Sequence, residues 1–331
     1  MHDLETFGDE AAFATLRQPA WHGLGTVFEN EVTTAEMLRL AHLDNWNVRL
    51  VPVDVPGVPA ERFAVPAFGV VRDNPFDGQA DVLAVVGKRY KVVQNEELFD
   101  FGATLGSGAR WETAGSIKKG RVVFGSLALE RETVLDPTGV ADKVSTYMLL
   151  HTSHDGSVSV QASITPVRVV CANTLNFALR SVKQSFKIRH TQTIEGKMAA
   201  AREALGMAER YMDDFDKAAQ ALFEVKVNDS QIEDIFATAY PKPEKDAAKA
   251  ALTRWENKRI AVGEILNSDT TFAVKDKAWG VLNALTENLD WNRGIRNDNP
   301  ESKLTAASGL DAIANAERNR LFSIVKEKAG V

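Results

Sequence analysis

The sequence predicts an α+β fold: an antiparallel sheet with helices on one face, followed by an all-helical C-terminal region. Three observations carry that expectation. Between Trp46 and Val170, short apolar runs are separated by Asn74-Pro75, Asp77-Gly78, Lys119-Gly120 and Asp155-Gly156, breaks that suit hairpins better than strand–helix–strand crossovers. From about Ala172 to Phe186, Leu175, Leu179, Val182 and Phe186 recur at helical spacing. After Thr193 the texture is rich in Ala, Glu, Met and Arg at helical period.

Taken in order, residues 1–45 read as an N-terminal lead-in segment. Thr33 and Glu36 have the spacing of a capping box, and Met37, Leu38, Leu40 and Ala41 give a short helix its apolar face. Residues 46–192 read as the α+β core, with strands expected at 47–53, 63–72, 82–93, 111–117, 121–131, 144–153 and 157–170. A helix capped by Asn95 and ended by Gly106 and Gly108 interrupts them. Residues 193–331 form the helical region, with runs at 195–224, 244–266, 272–289 and 304–328. Ser230 and Glu233 suggest a further capping box before Ile235.

With 331 residues the chain can bury a substantial core, and no window approaches eighteen uninterrupted apolar positions, so a membrane-spanning helix is not expected. The acidic start, MHDLETFGDEAAF, lacks a secretory signal pattern, and a single cysteine, Cys171, excludes an internal disulfide framework; both fit a cytoplasmic protein. The net charge of −6 argues against a surface basic all over. Its distribution matters more: residues 1–100 hold 8 basic and 16 acidic side chains, whereas residues 101–200 hold 12 basic and 7 acidic. Positive charge concentrates in the middle, as a local polyanion site requires.

The basic residues fall into clusters. Lys88, Arg89 and Lys91 flank Tyr90; Lys118, Lys119 and Arg121 occupy a hairpin turn; Arg180, Lys183 and Lys187 form one stripe of the expected helix, between Arg168 and Arg189. Together they can line one groove for phosphates, with Tyr90 and Trp111 as candidates for stacking on bases. Lysines guarding a sheet edge are the plainer alternative.

Other motifs point less far. Trp21-His22-Gly23-Leu24-Gly25 can hold a base or phosphate, but an anchor for a docked terminus is the simpler reading. Cys171 lies where a strand gives way to the expected helix; burial suits it better than nucleophilic catalysis. His151 and His154 sit three apart on a strand running into a turn, too poor a set for zinc, and read as a solvent-facing hairpin tip. No Walker loop, GxGxxG, GxSxG or HExxH occurs, so no cofactor, metal or catalytic residue is expected.

Three strings occur in an order known from a family: AWHGLGT near the start, VRVVCANTLNFAL in the middle, and AWGVLNALTENLDW near the end. They resemble the phage/plasmid-like proteins of prokaryotic mobile elements, over nearly the whole chain. The resemblance implies a cytosolic protein of a mobile element that handles DNA; it carries no residue roles. The order hairpin, helix, antiparallel strands and long basic helix is also similar to the core of phage single-strand annealing proteins, which form rings or filaments on DNA. The acidic first hundred residues have no counterpart there, so this second likeness is one of topology.

The expected function is therefore binding or annealing of single-stranded DNA in recombination or replication, by a non-enzymatic homo-oligomer without membrane association. Two alternatives stand beside it: a motif-less enzyme of nucleic acid or nucleotide metabolism, and an assembly or host-interaction protein whose central charge meets an acidic partner.

Overall fold

The computed structural model describes residues 4–17, 23–54, 59, 66–106, 108–168, 173–174, 185–190, 198–244, 246–291 and 312–331. Its strands are β1 (Thr6–Phe7), β2 (Glu10–Ala11), β3 (Phe13–Leu16), β4 (Thr26–Phe28), β5 (Arg49–Pro52), β6 (Ala67–Asp73), β7 (Ala80–Gly87), β8 (Arg110–Ile117), β9 (Val122–Leu135), β10 (Asp142–Ser153), β11 (Val160–Arg168), β12 (Asn173–Thr174) and β13 (Ser185–Ile188). Its helices are α1 (Thr34–Leu40), α2 (Asn95–Leu105), α3 (Met198–Glu224), α4 (Asp229–Ala239), α5 (Lys249–Leu266), α6 (Ala278–Trp291) and α7 (Ala312–Ala329). The fold is mixed α and β, its sheets mostly antiparallel, with helices filling the C-terminal region. Among the described residues no helix is long and apolar enough to cross a membrane.

The chain forms two compact units, each discontinuous in sequence. The first comprises Met1–Glu130, Tyr147–Ile164 and Lys183–Ala208. Its main sheet is made of β4, β3, β8 and the unit's own parts of β9, β10 and β11, in that order, with β13 pairing β11, and a separate three-stranded sheet runs β5-β6-β7. The lead-in segment is thus part of the sheet: β3 pairs antiparallel with β8 and parallel with β4. All four β3 residues are buried, so Phe13-Ala14-Thr15-Leu16 shows no period of two from which a strand could be read. Gly25, at φ +84°, passes so close that a Cβ would lie 2.3 Å from the Phe13 carbonyl oxygen; no other residue fits there.

Apolar residues knit α1 and α2 onto this sheet. Trp46, Met37, Leu43, Leu98 and Phe99 are fully buried, and Phe99 stacks on Trp111 with centroids 4.7 Å apart. Thr33 and Glu36 form the reciprocal capping box expected of them. At α2 the cap is Gln94, paired with Glu97, and Asn95 is buried inside the helix with its amide donating to the Leu43 carbonyl. Arg72, buried on β6, is paired with Glu5 and Asp81 and lies 4.1 Å from the Trp46 ring centre. Ser116 completes the arrangement, donating to Glu5 at 2.6 Å. This polar lock ties the N-terminal residues to two strands of the same unit.

The second unit comprises Arg131–Thr146, Thr165–Val182 and Glu209–Val331. Its centre is α6, packed against α5, α7 and β12. Trp279 is fully buried and donates from Nε1 to Asp142 at 2.7 Å, and Arg318 and Asp290 form a buried ion pair. Asn228, with Gln231, caps α4; Ser230, expected as the cap, lies inside the helix.

The long amphipathic helix expected from Ala172 to Phe186 differs at both ends. Asn173–Thr174 pairs with Val167 and Arg168, and Ser185–Ile188 pairs with residues 160–163 of β11. Phe186 and Ile188 turn inward around an exposed Lys187, a period of two that the helical match through Phe186 concealed. Residues 175–184 lie outside the described residues.

Candidate functional site

An open cavity of about 560 Å³ in the first unit brings together three of the expected basic residues, Lys88, Arg89 and Arg189. Three short segments build it. The turn after β7 supplies Val86, Gly87, Lys88, Arg89 and Tyr90; the turn between β10 and β11 supplies Gly156 and Ser159; the end of β13 leads into Arg189 and His190.

Local hydrogen bonds hold these segments in place. Tyr90 N–H donates to the Gly87 carbonyl at 3.0 Å, closing the first turn. In the second, Ser157 N–H donates to Asp155 Oδ1 at 2.8 Å, and Ser153 Oγ donates to the Val158 carbonyl at 2.9 Å. Gly156 takes φ +73°, the left-handed conformation that the Asp-Gly pair supplies. The three segments are then joined: Lys91 N–H donates to the His190 carbonyl, Tyr90 Oη donates to the Ser153 carbonyl at 2.9 Å, and the Tyr90 and His190 rings stack at 4.8 Å and 16°.

Charge sets this cavity apart. Lys88, Arg89 and Arg189 are exposed. Several basic side chains elsewhere meet carboxylates: Arg49 pairs with Asp73, Arg131 with Asp213 and Asp216, Arg259 with Glu233 and Glu256. Among the described residues, no carboxylate forms an ion pair with Lys88, Arg89 or Arg189. Asp155 acts by its charge on Tyr90 and His190 of the cavity wall. Burial works against its carboxylate, but hydrogen bonds from Ser157 and Ser153 and the charge of Arg121 hold its pKa below the usual value.

The remaining expected site residues are placed as follows. Lys91 is exposed next to the cavity, and its backbone joins it to His190. Arg121 is exposed, and its carbonyl accepts from His154 N–H at 2.7 Å. Lys187 is exposed on β13 opposite Gln161. Lys118 and Lys119 occupy left-handed positions in the β8–β9 turn, which closes over the Arg72 guanidinium at Gly120 rather than lining the cavity. Arg168 faces Asn173 across β11 and β12 in the second unit, with its side chain outside the described residues, as are Arg180 and Lys183 altogether. Cys171, Trp21 and His22 also lie outside them.

The two stacking candidates fare differently from what was expected. Trp111 is 3% exposed, stacked on Phe99 and hydrogen-bonded to Thr34, so an incoming base cannot reach it; an aromatic on a half-buried strand belongs to the core. Tyr90 is half-buried and lines the cavity, with one ring face covered by His190. Burial raises its hydroxyl pKa, so it remains a phenol.

The histidines also depart from expectation. His151 and His154 are buried, not at a solvent-facing tip. Burial lowers the pKa of His151 to about 4, with Lys187 adding to the effect. Burial lowers that of His154 to about 3, aided by His190 and Arg72, and its Nε2 lies 3.0 Å from Asn95 Oδ1. His190, lowered likewise by burial, stands in the cavity wall. Its placement depends on β13 pairing with β11, which the helical spacing through Phe186 hid. Among the described residues no group of three potential metal ligands converges.

A family model, the domain of unknown function DUF932, matches residues 82–309. The chain belongs to the DUF932 family. That match takes in all three segments of the cavity, so the arrangement lies within the DUF932 domain itself. No curated protein and no solved structure matches the chain.

Proposed function

We propose that this DUF932 protein binds single-stranded DNA at the basic cavity of its first unit, in the strand binding or annealing steps of recombination or replication on a mobile element. One observation carries the reading: Lys88, Arg89 and Arg189, from segments a hundred residues apart, converge on one open cavity and form no ion pair with a carboxylate among the described residues. Unpaired, exposed cations on a chain of net charge −6 have a use when a polyanion neutralises them. Lys91, Arg121 and Lys187 extend the positive surface around it, and Tyr90 offers an aromatic edge beside it. Phosphate contacts of this kind require neither nucleotide hydrolysis nor metal, and they leave base edges free for a second strand. The phage or plasmid origin and the homo-oligomeric ring or filament belong to the same proposal, on the strength of the three family strings.

Filter binding of labelled single-stranded DNA across a salt series tests it. Affinity should fall steeply with salt, and reversing Lys88, Arg89 and Arg189 to Glu should reduce the log–log slope by about 2, at about 0.7 per phosphate contact. Absence of binding at low salt, or an unchanged slope in the triple variant, would sink the reading. Equal binding of RNA would broaden it to single strands in general, and a monomer by light scattering with DNA present would remove the ring or filament.

A further inference from the structure

His190 lies in the cavity wall with hydrogen-bond neighbours that a neutral imidazole cannot satisfy. Its Nδ1 is 3.3 Å from the Lys91 carbonyl oxygen, and its Nε2 is 3.0 Å from that of Val158. Carbonyl oxygens only accept, so each contact needs a ring N–H; a neutral ring has one, an imidazolium two. Neither carbonyl is free to turn away. Lys91 is held by its own N–H, which donates to the His190 carbonyl, and the Val158 carbonyl accepts from Ser153 Oγ at 2.9 Å. The third neighbour, Thr152 Oγ1 at 3.4 Å from Nε2, is a hydroxyl and adapts to either state.

What opposes the proton is burial. His190 is 7% exposed. The charged groups around it are Lys88, Arg89 and Arg189, which line the same cavity, exposed Lys91 and Lys187 in the adjoining segments, and His154, with which it interacts; Arg121 acts on Asp155. Asp155 alone favours the charged ring electrostatically, and Tyr90, stacked on one face, supplies a π surface that attracts a cation. Without an added anion burial prevails and keeps the ring neutral near pH 7, leaving a lone pair directed at a carbonyl. An anion held among Lys88, Arg89 and Arg189 adds negative charge beside the ring, as Asp155 does, and tips that balance.

We propose that a phosphodiester group entering this cavity is bound together with one proton, taken up by His190, which thereby becomes the fourth cation of the site. This rests on the single-strand reading and goes beyond it by naming the group that is bound and the condition that regulates its binding. The proton comes from solvent and no covalent bond changes. Affinity must then rise as pH falls through the ring's pKa in the complex, and level off below its pKa in the free protein.

The probe is a 5′-hydroxyl oligothymidylate, which carries only phosphodiesters and has no group titrating between about pH 5 and 8, so any proton linkage is the protein's. Binding to the full chain at constant ionic strength should strengthen about tenfold over that range, the equivalent of a one-unit rise in the ring's pKa. In His190→Gln, which keeps a side-chain donor without the second protonation, the profile should be flat. A pH-independent affinity in the wild type, or an undiminished pH dependence in a folded His190→Gln, overturns the proton linkage while leaving DNA binding intact. No binding at any pH overturns both. Should His190→Gln not fold, ring-nitrogen resonances of ¹⁵N-histidine protein decide. One histidine whose imidazolium titration moves up by about one pH unit on saturation is expected, and none moving is the contrary result.

Discussion

Buried histidines make the first unit sensitive to acid. His151 and His154 titrate at about 4 and about 3 in the folded chain, against the ordinary 6.5 once unfolded. Their folded values are depressed, so the unfolded chain binds more protons below pH 6.5, and stability present above that value is lost as pH falls toward 4 and 3. Between pH 7 and 5 each ring removes about 2 kcal/mol. Urea unfolding at the two pH values should show the combined loss, and His151→Gln should lessen it; equal midpoints at pH 7 and 5 would contradict the burial of both rings. Arg72 is the other decisive residue. Replacing it by Met leaves Glu5 buried without its partner, at a cost of about 3–5 kcal/mol, and adding Glu5→Gln should recover part of that in the same unfolding assay. None of this was legible in sequence, because a histidine or arginine on a strand reads the same whether it faces water or a carboxylate sixty residues away.

At the scale of elements, turn chemistry was the most readable signal. The breaks at Asp77-Gly78, Lys119-Gly120 and Asp155-Gly156 all separate strands, and the three glycines all have positive φ. Helices with true capping boxes were found to within a residue or two, since Thr33 and Glu36 announce α1 by local bonding alone. Elements held by long-range pairing were not. β3 is a strand because β8 and β4 flank it, and β13 because β11 does. The cavity inherited this division: Lys88, Arg89 and Tyr90 were identifiable beside a strand end, whereas the nearness of Arg189 depended on a pairing that no local pattern encodes. Gly156 joins the two kinds of information. Gly156→Ala must hold a left-handed φ with its Cβ 3.6 Å from Tyr90 Cε2, so it should destabilise the fold by about 1 kcal/mol in denaturant melts. An effect near zero would mean that the turn relaxes and the cavity wall is not held by it.

Over the whole molecule, net charge and local charge make opposite demands, and they can be separated by experiment. A chain at −6 repels DNA on average, and reversing any three cations makes that average worse by the same amount. If overall charge governed binding, every such triple would weaken it alike. Lys143, Lys217 and Arg259 are a suitable comparison set, because each is paired with a carboxylate near the surface: Glu132, Asp214 and the Glu233–Glu256 pair respectively. Exposed pairs contribute only about 0–1 kcal/mol, so reversing them leaves the fold intact. Reversal of Lys88, Arg89 and Arg189 should weaken single-strand binding by at least about tenfold at low salt, while the comparison triple should change it by less than about threefold. Both proteins should keep wild-type circular dichroism. Equal losses in the two would show that the cavity is not the binding site, since only a field spread over the molecule responds to charge without regard to where it sits.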